Sequence, residues 1–128
     1  MNLIPLPAFN DNYIWMLHDA GRAVVVDPGD AQPVLDALDR LKLRLASILV
    51  THHHQDHTGG VAALREATGA SVFGPRAEPM PEPLTRVSQG DQLDLLGLRV
   101  DVLEVPGHTA GHVAYVAWPG GQDPILFC

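Results

Sequence analysis

The segment Thr51-His52-His53-His54-Gln55-Asp56-His57 holds the densest chemistry in the chain. His52, His54, Asp56 and His57 are strong ligands for first-row metals, set in an HxHxDH spacing. In extended backbone, successive side chains point to opposite sides, so His52 and His54 face the same way and can share one metal ion. His53 points away and is expected to pack or to face solvent. Asp56 and His57 follow where the chain must turn into a helix, and can face a second metal beside the first. Imidazole suits zinc or iron, with manganese also tolerated, and the carboxylate hardens the second site.

A second cluster, Pro106-Gly107-His108-Thr109-Ala110-Gly111-His112, puts His108 on a tight turn after an apolar run. It can supply a third imidazole to the site of His52 and His54. Three protein ligands with a position left for water is the catalytic rather than the structural zinc pattern. A metal-bound imidazole usually gives its other N–H to a carboxylate or carbonyl. Asp27, at the end of a β-branched run, and His112 are the candidates for such supporting contacts. No side-chain nucleophile is evident: Cys128 has no histidine placed near it by the sequence.

The elements that must position these groups are set by turn signals. Leu3 to Leu6 and Tyr13 to Leu17 read as strands joined by Asn10-Asp11-Asn12. Ala23 to Val26 reads as a buried strand delivering Asp27 to the Asp-Pro-Gly loop. Val34, Leu35, Leu38 and Leu41 share one helical face in Pro33 to Leu41, with Asp30 or Gln32 before it and Pro33 suited to the first helical position. Ser47 to Val50 is the next strand, Thr51 to His57 a loop, and Thr58 to Thr68 a helix capped by Thr58 and closed by Gly69. Gly59 and Gly60 would let that helix start close to the metals.

Ser71 to Phe73 is a short strand. Gly74 to Pro83, with four prolines, reads as a surface loop. Strands follow at Gln92 to Leu96, Leu98 to Val105, Val113 to Trp118 and Ile125 to Phe127. Helices among many strands, without strict alternation, predict a layered α/β sandwich.

Length bounds the chain to one domain, since 128 residues do not make two. The net charge of −7 and the lack of a Lys/Arg cluster argue against nucleic acid as a partner. A single cysteine allows no intrachain disulfide, the N-terminus lacks a signal-peptide layout, and no apolar run reaches membrane-spanning length. The expectation is a cytoplasmic protein without a membrane partner; the sequence specifies no oligomeric state.

HxHxDH followed by a Pro-Gly-His turn resembles the metallo-β-lactamase superfamily. The segments Ala8-Phe9-Asn10-Asp11-Asn12-Tyr13-Ile14-Trp15, Val25-Val26-Asp27-Pro28-Gly29-Asp30 and Ile125-Leu126-Phe127-Cys128, with the two histidine clusters, resemble its glyoxalase II (hydroxyacylglutathione hydrolase) family across the whole chain. The resemblance implies an αββα sandwich with a binuclear site on one edge. It implies His52, His54 and His108 on one ion and Asp56 and His57 on the other, with two divalent ions, zinc foremost and iron or manganese as alternatives. The implied reaction is hydrolysis of S-D-lactoylglutathione, an S-(2-hydroxyacyl)glutathione, to glutathione and D-lactate by a metal-held hydroxide, the second step of methylglyoxal detoxification.

The family's metal-bridging aspartate, its later histidine and its glutathione-binding helical domain have no counterpart in residues 1–128. The chain is therefore expected to be the N-terminal half of the domain, impaired when alone. Two alternatives compete: an enzyme resembling persulfide dioxygenase with a single iron, and a non-catalytic metal-binding remnant.

Overall fold

The computed structural model describes residues 1–9, 12–107 and 109–128. The expected turn residues Asn10 and Asp11 lie outside that set. Among the described residues, ten strands and three helices run in the order β1 (Asn2–Ala8), β2 (Asn12–Asp19), β3 (Arg22–Val26), α1 (Ala31–Leu41), β4 (Arg44–Leu49), α2 (Gln55–Thr58), α3 (Val61–Thr68), β5 (Ser71–Pro75), β6 (Thr85–Val87), β7 (Gln92–Leu95), β8 (Leu98–Glu104), β9 (Val113–Trp118) and β10 (Ile125–Phe127).

The first six strands form one sheet in sequence order, and the last four form another in the order β10-β9-β8-β7. In the larger sheet β1, β2 and β3 pair antiparallel, while β3, β4, β5 and β6 run parallel. The smaller sheet is antiparallel throughout.

Period-two alternation in strands buried on both faces sorts the core into two layers. In β3, Ala23 and Val25 join the cluster formed with Val34, Ala37 and Leu38 of α1 and Val61 and Leu64 of α3. Val24 and Val26 point the other way and meet Val100, Val102, Val113 and Tyr115 of the smaller sheet. The described residues therefore stack as helices, sheet and sheet, the layered α/β sandwich expected.

Tyr115 stitches the sheets together. Its side chain is fully buried and its hydroxyl donates to the carbonyl of Val50 at 2.6 Å. Burial, with the charge of Asp27 nearby, raises that phenol well above its usual range, so it stays a donor.

Several boundaries differ from expectation for local reasons. Asp30 is the N-cap of α1, accepting from the amide of Gln32, so Pro33 falls at the third helical residue rather than the first. The histidine loop is not loop throughout, because Gln55–Thr58 makes a single helical turn. Thr58 consequently ends α2, and the next helix starts after Gly60. The short strand β6 was not foreseen; it lies beyond the prolines and pairs parallel with β5.

Candidate metal centre

Three adjacent parallel strands open onto the same end of the larger sheet, where loops of such sheets gather functional groups. β3 delivers Asp27, β4 delivers the histidine loop, and β5 leads into the Pro-rich loop. The Asp27-Pro28-Gly29 loop and the Gly59-Gly60 pair lie in direct backbone contact. The amide of Gly60 donates to the carbonyl of Pro28 at 2.8 Å, and a Cβ on Gly59 would sit 2.5 Å from the carbonyl oxygen of Gly29. The glycines thus serve this loop-to-loop approach, and Gly59 also lines the groove beside His54 and Asp56.

Asp27 is buried, in the left-handed region at φ 53°, which aspartate tolerates better than most residues. Its Oδ1 accepts from the Thr51 amide at 2.7 Å, and its Oδ2 accepts from the Thr51 hydroxyl at 2.6 Å. The same Oδ2 takes the Nδ1–H of His57 at 3.0 Å. Since the Thr51 hydroxyl gives its one proton to Asp27, it can only accept from Nδ1 of His52, 2.8 Å away. Both imidazoles thereby carry their proton on Nδ1, which leaves Nε2 as the coordinating atom of each.

The rings converge. Centroid separations from His52 are 4.2 Å to His57, 4.9 Å to His54 and 4.6 Å to His112, the last nearly parallel. Asp56 Oδ2 lies 3.6 Å from Nε2 of His57. Asp27, His52 and His57 each offer a ligand atom within 4.8 Å of the others, a spacing that one metal ion can bridge. The donor set fits a divalent transition metal: imidazoles whose hydrogen bonds at Nδ1 leave Nε2 to coordinate, a carboxylate beside them, and a strand framework that fixes them.

Electrostatics favour the coordinating form of Asp56. The amide of Asn12 donates to Asp56 Oδ2 at 3.1 Å and, with His57 and His54 nearby, holds that carboxyl below its ordinary range despite some desolvation. The hydrogen bond to Asp27 raises His57, against the pull of burial, so a metal ion binding at Nε2 competes with a proton there.

Of the residues singled out in the sequence, the structure brings together His52, His54, Asp56, His57, His112 and Asp27. His108 lies outside the described residues. His53 turns aside, as expected, but not into solvent alone: its Nδ1 pairs with Oε1 of Glu78 at 2.8 Å. Asp27 was anticipated beside one imidazole and instead serves two, directly for His57 and through Thr51 for His52. Sequence reasoning missed Thr51, Asn12 and Glu78. A threonine directly before the histidines was the one visible signal among them.

A cavity of about 370 Å³ flanks Asp27 and His57, walled by Tyr13, Trp15, Leu126 and Cys128. On the other side an open groove exposes His54 and Asp56 beside Phe9 and Gly29.

Comparison with known proteins matches residues 8–126 to the family described as the metallo-beta-lactamase superfamily. Curated relatives named hydroxyacylglutathione hydrolase include one from Albidiferax ferrireducens, 66% identical over all of this chain and 50% of its own length. Another, from Pseudomonas aeruginosa, is 53% identical over 96% of this chain and 48% of its own. The chain thus spans about half the length of the curated relatives it matches. Among solved structures, that of ETHE1 from Myxococcus xanthus superposes with a TM-score of 0.80 at 30% identity, covering 91% of this chain and 54% of that one. A metallo-beta-lactamase from Cronobacter sakazakii reaches 0.83 at 18% identity over 98% and 58%, a likeness of fold alone.

Proposed function

This chain belongs to the metallo-beta-lactamase superfamily, and from that premise we propose that its histidine loop is the metal-binding part of a thioester hydrolase. The proposed substrate is an S-(2-hydroxyacyl)glutathione, S-D-lactoylglutathione foremost, yielding glutathione and D-lactate. One observation carries the reading: the rings of His54 and His57 lie 4.9 Å and 4.2 Å from that of His52 in a chain 66% identical to a protein named hydroxyacylglutathione hydrolase.

In this proposal His52 and His54, with His108, hold one divalent ion, and Asp56 and His57 hold the other. Zinc suits the donors best, and iron or manganese are alternatives. Such ions, when bound, ionise water near neutral pH and polarise an acyl carbonyl. The chain's own residues do the rest. Thr51 and Asp27 hold the N–H of the neutral His52 and His57 rings on Nδ1, leaving Nε2 as the coordinating atom, and Asn12 keeps Asp56 ionised and oriented. His112 packs flat against His52 and limits its rotation. The open groove beside His54 and Asp56 gives a thioester a path to the centre. A cytoplasmic setting and a role in methylglyoxal detoxification belong to the same proposal, as does impaired turnover by residues 1–128 alone.

The test joins metal content per chain with hydrolysis of S-D-lactoylglutathione, followed in one sample of the purified chain. Bound divalent metal, lost in His57→Ala, with slow thioester turnover that exceeds any β-lactam turnover, is the expected result. A chain that takes up no divalent ion at micromolar concentration would sink the reading. Turnover equal to that of the full-length Albidiferax relative would refute the impairment. Oxygen uptake with glutathione persulfide would favour the single-iron alternative.

A further inference from the structure

Glu78 is a buried carboxylate in a largely exposed, proline-rich loop, and it is not part of the histidine cluster. Its Oε1 accepts from the amide of His53 at 2.9 Å and from Nδ1 of the same residue at 2.8 Å. Its Oε2 accepts from the amide of Gly111 at 3.0 Å. One carboxylate therefore grips the middle of the histidine loop with one oxygen and the backbone of Gly111 with the other. Charge-assisted bonds of this kind are about twice as strong as neutral ones.

The surroundings are built for this grip. Gly111 comes so close that a Cβ there would lie 2.7 Å from Cγ of Glu78 and 3.0 Å from Cβ of Ala77. The Pro-rich loop, which has no ladder of its own, is pinned from below by two arginines. Arg65 donates to the carbonyls of Pro81, Glu82 and Pro83 at 2.8 to 3.2 Å. Arg86 donates to the carbonyls of Pro75 and of Glu78 itself. Such anchoring costs chain entropy on folding, and a loop serving only as a connection does not need it.

We propose that Glu78 is a positioning residue, a clasp that fixes the histidine loop against Gly111, the neighbour of His112, and so sets the geometry of the metal centre. The proposal rests on the metal-site reading above. Both carboxylate oxygens are required. In Glu78→Gln the side chain offers one carbonyl oxygen and one NH₂, and whichever way the amide turns, one loop faces a donor with a donor. The contact with His53 falls between His52 and His54, so a slack clasp misaims both imidazoles.

The experiment loads the 128-residue chain with Zn²⁺ under chelator competition and, separately, with Co²⁺ for its visible absorption spectrum. The variants are Glu78→Gln, Glu78→Ala and Gly111→Ala, each with a thermal melt. The expected result is a metal affinity lowered about 10- to 100-fold in Glu78→Gln, as for other supports of metal ligands, with a changed cobalt spectrum while the fold melts cooperatively. Gly111→Ala should shift the spectrum in the same direction. If Glu78→Ala fails to fold, the nearly isosteric Glu78→Gln decides. Unchanged zinc affinity and cobalt spectrum in Glu78→Gln would overturn the clasp, even with a lowered melting temperature, while leaving the metal site intact. A wild-type chain that binds neither ion overturns both.

Discussion

Asp27 holds Thr51 twice, with one carboxylate oxygen on its amide and the other on its hydroxyl. This double contact ties the end of β3 to the first residue of the histidine loop. It also decides where the protons of two imidazoles sit, because His57 and, through Thr51, His52 are both oriented by it.

Asp27→Asn should therefore damage the site far more than its size suggests. An amide NH₂ in place of Oδ2 makes His57 Nδ1 an acceptor and moves its proton to Nε2, the coordinating atom. A near-normal fold with metal content reduced at least about tenfold is expected, and ¹⁵N shifts should report the exchanged tautomer. Wild-type metal content would show that the tautomer is set elsewhere.

Thr51→Val and Thr51→Ser separate shape from hydrogen bonding. Valine leaves a buried carboxylate oxygen and an imidazole N–H each short of a partner, which costs about 1–3 kcal/mol. Serine keeps the hydroxyl and should recover most of the stability and the zinc affinity. Denaturant midpoints and chelator competition measure both, and equal behaviour of the two variants would contradict the relay.

Glu78 gives the chain an acid limb. Burial raises its carboxyl, but hydrogen bonds led by the His53 ring outweigh burial and bring it from 4.5 down to about 2. A carboxyl lowered on folding contributes stability that is fully present above about pH 4.5 and is lost as the pH falls toward 2. The contribution is at most about 3 kcal/mol at neutral pH. Unfolding free energy measured from about pH 6 down to about pH 2 should fall in the wild type and fall less in Glu78→Gln. Parallel curves would assign the acid sensitivity to other groups.

Gly29→Ala should be among the most damaging small substitutions. Its Cβ would lie 1.9 Å from the carbonyl oxygen of Asp56, a backbone atom that cannot swing aside. A loss at or above the usual range of about 1–3 kcal/mol for overpacking is expected, with metal affinity falling as Asp56 is pushed away. Gly120→Ala, where a Cβ meets nothing within 4 Å, serves as the neutral control. Equal melting temperatures for the two would refute the close approach.

Much of the centre was legible because its chemistry is local in sequence. His52, His54, Asp56 and His57 fall within one short stretch of chain, so spacing alone predicted that they would gather. The apolar strands were legible from β-branched runs. Glu78 was not, because its partners His53 and Gly111 lie 25 and 33 positions away and only the fold brings them together. It also stands among prolines that mark a surface loop, which most of that loop is. The turn of helix at Gln55–Thr58 escaped because its residues are all polar and carry no periodic signal, and Thr58, a good N-cap by type, closes that turn instead.

The parallel run of β3, β4 and β5 also has a practical consequence for handling the molecule. Each strand ends in a working loop at one rim and begins in a plain connection at the other, near Gly21, Leu43 and Gly69. At about 3.3 Å per residue, strands of about five residues put roughly 13 Å between the two rims. Arg22 and Arg44 are exposed at that rim, whereas Gly21 and Gly69 stand at positive φ where a side chain would be strained. A fluorophore, an affinity handle or a surface tether attached at that far rim would leave the histidine loops facing the solution, ready for measurement.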